Sequence, residues 1–201
     1  MQKLIRESIE NTRNVIDLVL ADNALIASVA EAGEVCIAAL RQKKKILLAG
    51  NGGSAADSQH IAAELVSRLN YDRPGLSAIA LTTDTSALTA IGNDYGFERA
   101  FARQVEAVGQ EGDVLIAIST SGNSANILAA LKAARAQNIT TVGMTGKTGG
   151  KMAELCDITL KMPSSTTPNI QECHIMFGHI ICHIIEDTLF GKEYGSKAAT
   201  A

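Results

Sequence analysis

Between Gln2 and Gln42 the apolar positions fall three and four residues apart, first Ile5, Ile9, Ile16, Val19 and Leu20, then Leu25, Val29, Val35, Cys36 and Leu40, with a break at Ala21-Asp22-Asn23. That spacing gathers them on one stripe of a helix, so the segment predicts a helical hairpin. Beyond residue 42 the pattern changes. Short continuous apolar runs at 46–49, 78–81, 113–118, 140–144 and 158–161 alternate with helical stretches at 54–69, 97–108, 124–137 and 150–155. A strand apolar at consecutive positions offers water no face, which places it in a parallel sheet covered by helices on both sides. The predicted fold is α/β, a three-layer sandwich with a central five-stranded parallel sheet, preceded by the hairpin. The last element, 169–190, is a helix with a broad apolar surface carrying His174, His179 and His183. Such a surface calls for a partner, and a neighbouring subunit is the natural one.

Two of the strands run into turns of the same kind, Gly50-Asn-Gly-Gly-Ser54 and Ser119-Thr-Ser-Gly-Asn-Ser124, and each turn leads into a helix. Glycine lets the backbone approach a ligand, and the first amides of a helix point outward at the positive end of its dipole, so each turn can cradle an anion. The second turn adds the hydroxyls of Ser119, Thr120, Ser121 and Ser124. Neither turn carries the Gly-Lys-Ser/Thr ending of a P-loop or the Gly-x-Gly-x-x-Gly of a dinucleotide site, so the ligand implied is a small phosphorylated molecule. In an open parallel sheet both turns lie beyond the carboxyl ends of their strands and should face one pocket.

His60 and Glu64 stand one turn apart on the helix that follows the first turn, with Arg68 a further turn along the same stripe. A histidine and a carboxylate so spaced can bind a divalent metal, act as an acid/base pair, or make an ordinary hydrogen bond on a solvated face. On the last helix Gln171 and His179 are eight residues apart, about 12 Å along the axis, too far for one metal unless the helix start is distorted or the two come from different copies of the chain. His174 and His183 point elsewhere and read as structural. Asn93 and Asp94, between Gly92 and Gly96, suit either sugar hydroxyls or plain turn chemistry.

Composition narrows the choice. The 201 residues are 46% hydrophobic, enough for a full core in one domain, and no linker or repeat divides them. A net charge of −3, 3% aromatic residues and no tryptophan give neither a field nor stacking surfaces for nucleic acid, and Lys43-Lys44-Lys45 is too short to change that. No apolar run approaches the roughly 20 residues of a bilayer span, and the expectation is a soluble, cytoplasmic protein without membrane partners. The four cysteines lack any Cys-x-x-Cys pairing and read as reduced packing residues. Residues 193–201 are small and polar and read as a flexible tail.

The two turns resemble those of the sugar isomerase (SIS) domain, a flavodoxin-like fold. His60-x-x-x-Glu64, Ala90-Ile-Gly-Asn-Asp94, Glu111-Gly-Asp-Val-Leu115, Thr145-Gly-Lys-x-Gly-Gly-Lys151 and Ile170-Gln-Glu-x-His174, with His179, are similar to the phosphoheptose isomerases of that family, in order and nearly to Phe190. The resemblance implies N-terminal helices (1–42) packing in the oligomer and a SIS domain over 43–192. It implies conversion of sedoheptulose 7-phosphate to D-glycero-D-manno-heptose 7-phosphate, the first step toward nucleotide-heptose precursors of glycans such as lipopolysaccharide. Ser119, Thr120, Ser121 and Ser124 would hold the phosphate, while Asn51, Gly52, Gly53, Arg68, Asn93, Asp94 and Gln171 would contact the rest of the sugar. Glu64 and His179 match the family's acid/base residues, and His60, Glu64, Gln171 and His179 its ligands for one zinc ion per subunit. A homotetramer with active sites shared between subunits is also implied. Pro168-Asn169 departs from the charged residues that relatives often carry. The rival readings are a non-catalytic SIS tetramer binding the replication initiator DnaA, whose members lack counterparts of Glu64 and His179, and a sugar-phosphate sensor.

Overall fold

The structure is a computed structural model and describes residues 1–195. Two helices, α1 (Gln2–Ala21) and α2 (Asn23–Arg41), open the chain. They part at Asp22, whose carboxylate accepts the amide of Leu25 at 3.0 Å and so caps α2. Then follow β1 (Ile46–Gly50), α3 (Gly53–Val66), β2 (Ala78–Ala80), α4 (Thr85–Tyr95), α5 (Ala102–Val108), β3 (Val114–Ser119), α6 (Ala125–Ala136), β4 (Thr140–Thr145), β5 (Ile158–Lys161) and α7 (Thr167–Phe190). A π turn, Gly191–Gly195, extends α7, and residues 196–201 of the expected tail lie outside the described residues.

The five strands are all parallel in the order β2-β1-β3-β4-β5. Because successive side chains point to opposite faces, each central strand feeds two cores at once. Ile46, Leu48, Ile116 and Met144 pack with Cys36, Ile61, Leu65, Phe177 and Ile181 from α2, α3 and α7. Leu47, Ala49, Leu115 and Ala117 pack with Phe101, just before α5, and with Val105, Ile127 and Leu131 from α5 and α6. Each fully buried leucine or isoleucine stabilises the fold by about 1.5–3 kcal/mol, so the sheet is the rigid base on which both turns stand.

Three expectations need correction. Residues 85–95, outside every helix expected from the pattern, form α4, because Asp84 accepts the amide of Ala87 at 2.9 Å and starts a helix there. The expected helix 97–108 is divided between a 3-10 turn, Phe97–Arg99, and α5. The helix expected to reach residue 69 ends at Val66, since the chain leaves helical geometry at Ser67. A fourth point concerns α2, a 19-residue helix with a mean hydropathy of 1.5, taken over an 18-residue window, that meets the length and apolarity of a membrane span. Its Leu25, Val29, Ala32, Cys36 and Ile37 are instead buried in the core beneath the sheet.

The cysteines are free, as expected, and burial pushes the thiols of Cys36, Cys156 and Cys182 up to about 12. They stay protonated and unreactive.

His174 on α7 has no exposed surface, neither ring nitrogen has a partner among the described residues, and burial holds its pKa down at about 4, the adjoining Thr145 main chain offsetting this only in part. An unfolded imidazole takes its proton near 6.5, so between about 6.5 and 4 the unfolded state binds more protons. Stability is therefore full above that window and is expected to fall by on the order of 3 kcal/mol as pH drops through it. Urea unfolding from pH 7 to pH 4 checks this; a His174→Leu variant whose stability slopes as steeply as the parent's would refute it.

Candidate active site

The order β2-β1-β3-β4-β5 places the topological switch between β1 and β3, where ligands of open α/β sheets bind. Both glycine turns emerge there, and the first is joined to the start of α6, the helix that follows the second, by reciprocal amide bonds: Asn51 Nδ2 to Asn126 Oδ1 at 2.9 Å and Asn126 Nδ2 to Asn51 Oδ1 at 2.8 Å. In the first turn Gly52 takes φ 56°, in the left-handed region that favours glycine. In the second turn the Ser119 and Ser124 hydroxyls meet at 3.0 Å and Ser121 Oγ accepts the amide of Asn123 at 3.2 Å. Ser124 is the N-cap of α6, so the positive end of that helix faces the turn.

Beside the second turn lies a cavity of about 280 Å³ lined by Thr120, Ser121, Lys147, Ser164, Ser165 and Thr167 among others, with no carboxylate. Main-chain bonds from Gly146 to the Thr120 carbonyl and from Lys147 to the Ser164 carbonyl, each 3.0 Å, hold its walls together. Hydroxyls plus one ammonium are the chemistry of an anion site. Lys147, Ser164, Ser165 and Thr167 were missed in the sequence. The signal was available: the run Ser164-Ser-Thr-Thr167 follows the last strand, at the same carboxyl edge of the sheet.

A second cluster sits where α3 and α7 run alongside each other. His60 Nε2 is 3.2 Å from Glu64 Oε1 and 2.9 Å from His179 Nε2, the two rings meeting edge to face. Donor atoms of all three residues lie within 4.8 Å of one another. Four ligands about 2.0–2.1 Å from a tetrahedral zinc stand roughly 3.3 Å apart, so these separations and the nitrogen-and-carboxylate donor set fit a divalent metal with an open position. Two turns up the helices, the Gln171 amide lies against Gly53, 2.6 Å from where a Cβ on that residue would sit. Gln171 belongs to regular helix, since α7 begins at Thr167 with Pro168 in its first turn. It therefore stands apart from His60, Glu64 and His179 within one chain. Arg68 lies past the end of α3 and is exposed; Asn93 and Asp94 are exposed in the last turn of α4, bonded to each other at 2.8 Å.

The sheet is doubly wound and parallel, two glycine turns meet at its switch point and an imidazole–carboxylate cluster stands alongside, and the SIS domain family matches residues 9–146, which makes the chain a protein of the SIS class. The chain is 58% identical to the phosphoheptose isomerase of Burkholderia pseudomallei, covering 94% of this chain and 96% of that protein. It is 54% identical to the phosphoheptose isomerase of Aneurinibacillus thermoaerophilus over 98% and 99% of the two chains. The solved phosphoheptose isomerase of Neisseria gonorrhoeae superposes with a TM-score of 0.87 at 43% identity, over 92% of this chain and 98% of that one. The chain belongs to the phosphoheptose isomerase family.

Proposed function

We infer that the protein is an aldose–ketose isomerase that converts D-sedoheptulose 7-phosphate to D-glycero-D-manno-heptose 7-phosphate through an enediol. The observation that carries this reading is the meeting of Glu64 and His179 around His60, from helices that begin at or beside the anion cradle. A sensor or a scaffold has no use for an acid/base pair there, and the relatives at 58% and 54% identity are named as isomerases.

The steps follow from the residues. Ser119, Thr120, Ser121 and Ser124, with the first amides of α6, hold the phosphate, and Lys147 supplies opposing charge. Asn51, Gly52, Gly53, Arg68, Asn93, Asp94 and Gln171 are assigned to the rest of the sugar. Glu64 shows Oε1 to His60 and takes the proton from C1 with its second oxygen, while His179 protonates the C2 oxygen. The enediol then regains a carbon proton at C2 from Glu64 as His179 removes the one on the C1 oxygen, leaving the aldose. His60, Glu64 and His179 would hold a zinc ion, which would polarise the substrate oxygens; because a metal-bound carboxylate is a poor base and a metal-bound imidazole a poor acid, Glu64 and His179 would leave the metal to the sugar when they transfer protons. The further expected ligand, Gln171, lies at Gly53 and reaches such a site only from another copy of the chain.

We place the enzyme in the cytoplasm as a homotetramer with sites at subunit contacts. In support, α1 exposes Leu4, Ile5 and Ile9, and a strongly apolar cavity of about 240 Å³ opens among Val19, Leu20, Ile26, Met176 and Ile180. Incubating the purified protein with sedoheptulose 7-phosphate and following the aldose tests the activity; no turnover with or without zinc would favour the scaffold. Ser121→Ala removes one donor to the phosphate and is expected to raise KM about tenfold with kcat little changed. An unchanged KM counts against this turn as the phosphate site.

A further inference from the structure

Glu186 is a carboxylate with no exposed surface, seven residues beyond His179 on α7. Seven residues make two turns, so the two side chains share a face of the helix about 10 Å apart. The carboxylate accepts from the amides of Leu69 (3.0 Å) and Asn70 (2.8 Å), from Asn70 Nδ2 (3.0 Å) and from Arg73 Nε (3.1 Å). Arg73, also buried, spends its remaining donors on the end of α3. Its Nη2 donates to the Glu64 carbonyl and its Nη1 to the Leu65 carbonyl, both at 2.8 Å, and Nη1 also reaches the Pro74 carbonyl at 3.0 Å.

As a source of stability this pair makes little sense. Desolvating two charges offsets most of their attraction, and an apolar pair of similar volume often serves a fold as well or better. Geometry offers the better account. Glu64 lies in the last turn of α3, which ends at Val66, and the last carbonyls of a helix have no partners within it. Such turns fray. No glycine cap closes this one: the chain departs at Ser67 with φ −90° and ψ −98°. Arg73 provides the missing donor to the Glu64 carbonyl and joins the Leu76 amide (3.0 Å) on the Leu65 carbonyl, and Glu186 receives the amides just beyond.

We propose that Arg73 and Glu186 are positioning residues that fix the last turn of α3, and with it the Glu64 carboxylate, against His179 on α7. The proposal rests on Glu64 and His179 being the acid/base pair. Arg73 and Glu186 are both buried and are not among the residues assigned to the substrate. Their contribution is to kcat, because proton transfer fails when donor and acceptor are displaced by a fraction of an ångström, whereas the phosphate cradle stands on other elements.

Glu186→Gln keeps the shape but leaves the guanidinium uncompensated; kcat is expected to fall at least about tenfold with KM within about threefold, and hydrogen exchange at amides 64–70 to quicken. Arg73→Met combined with Glu186→Leu removes both charges and should recover the parental melting temperature, yet kcat should stay at least about tenfold low. Parental kcat in either protein overturns the proposal and leaves the pair a purely structural one. Should the double variant not fold, Arg73→Lys carries the same test, since an ammonium opposes Glu186 but cannot span both carbonyls; parental turnover there overturns it equally. Failure of the underlying acid/base reading is distinguishable, because Glu64→Gln would then retain activity whatever the other variants do.

Discussion

Glu64→Gln is expected to lower kcat by about 10²–10⁴-fold, the usual worth of a positioned general base, while KM changes little. The amide matches the carboxylate in shape and sits on a helix face with 23% of its side chain exposed, so the fold has no reason to suffer. What disappears is the basic oxygen to which we assign the C1 proton. In heavy water the parent enzyme should exchange that proton of sedoheptulose 7-phosphate with solvent, and the variant should not; this NMR measurement reads the carbon-proton step directly. His179→Gln should keep slow exchange at C1 yet fail to deliver aldose, since its part is the oxygen proton. Full turnover by either variant removes that residue from the mechanism.

The second large effect belongs to Gly122→Ala. Gly122 takes φ 65°, and a Cβ there would run into the Gly149 carbonyl and come within 2.9 Å of Thr145 Oγ1. Gly150, at φ 55°, returns the contact, because its own Cβ would lie 2.5 Å from the Ser121 carbonyl. Two loops thus touch main chain to main chain, with no room for one methyl. The strained conformation and the clash together are expected to cost about 2–4 kcal/mol and to raise KM for the sugar phosphate at least about tenfold by re-aiming the Ser119–Ser124 hydroxyls. Calorimetric binding of inorganic phosphate tests this apart from chemistry, and parental affinity in the variant would show that the turn does not hold the phosphate. Gly92→Ala is the control, since apart from its chain neighbours and the adjoining backbone of its own helix nothing lies within 4 Å of the added methyl.

The framework of the molecule was readable from its one-dimensional pattern. Strands such as Val114–Ser119 and Ile46–Gly50 are buried at every position, and that leaves an apolar run no alternative to a covered parallel sheet. Residues 85–95 escaped because Thr85, Ser86 and Thr89 are weak helix formers, and what starts the helix is a single capping carboxylate, Asp84. The end of α3 escaped for a different reason: Arg73 and Glu186 lie far apart in sequence, and the bonds that end the helix exist only after both are brought in.

The candidate site divides along the same line. The chain by itself determined the two glycine turns, their hydroxyls and the His60–Glu64 pairing, since each depends on neighbours a few residues away and on the 3.6-residue repeat of the helix. Folding alone decided that His179 meets His60 across 119 positions, that Gln171 settles at Gly53, and that Lys147 and Ser164 line the cavity beside the second turn. Those juxtapositions follow from strand order and from how α7 lies along α3, and the packing of two apolar cores sets both without leaving any trace in local spacing.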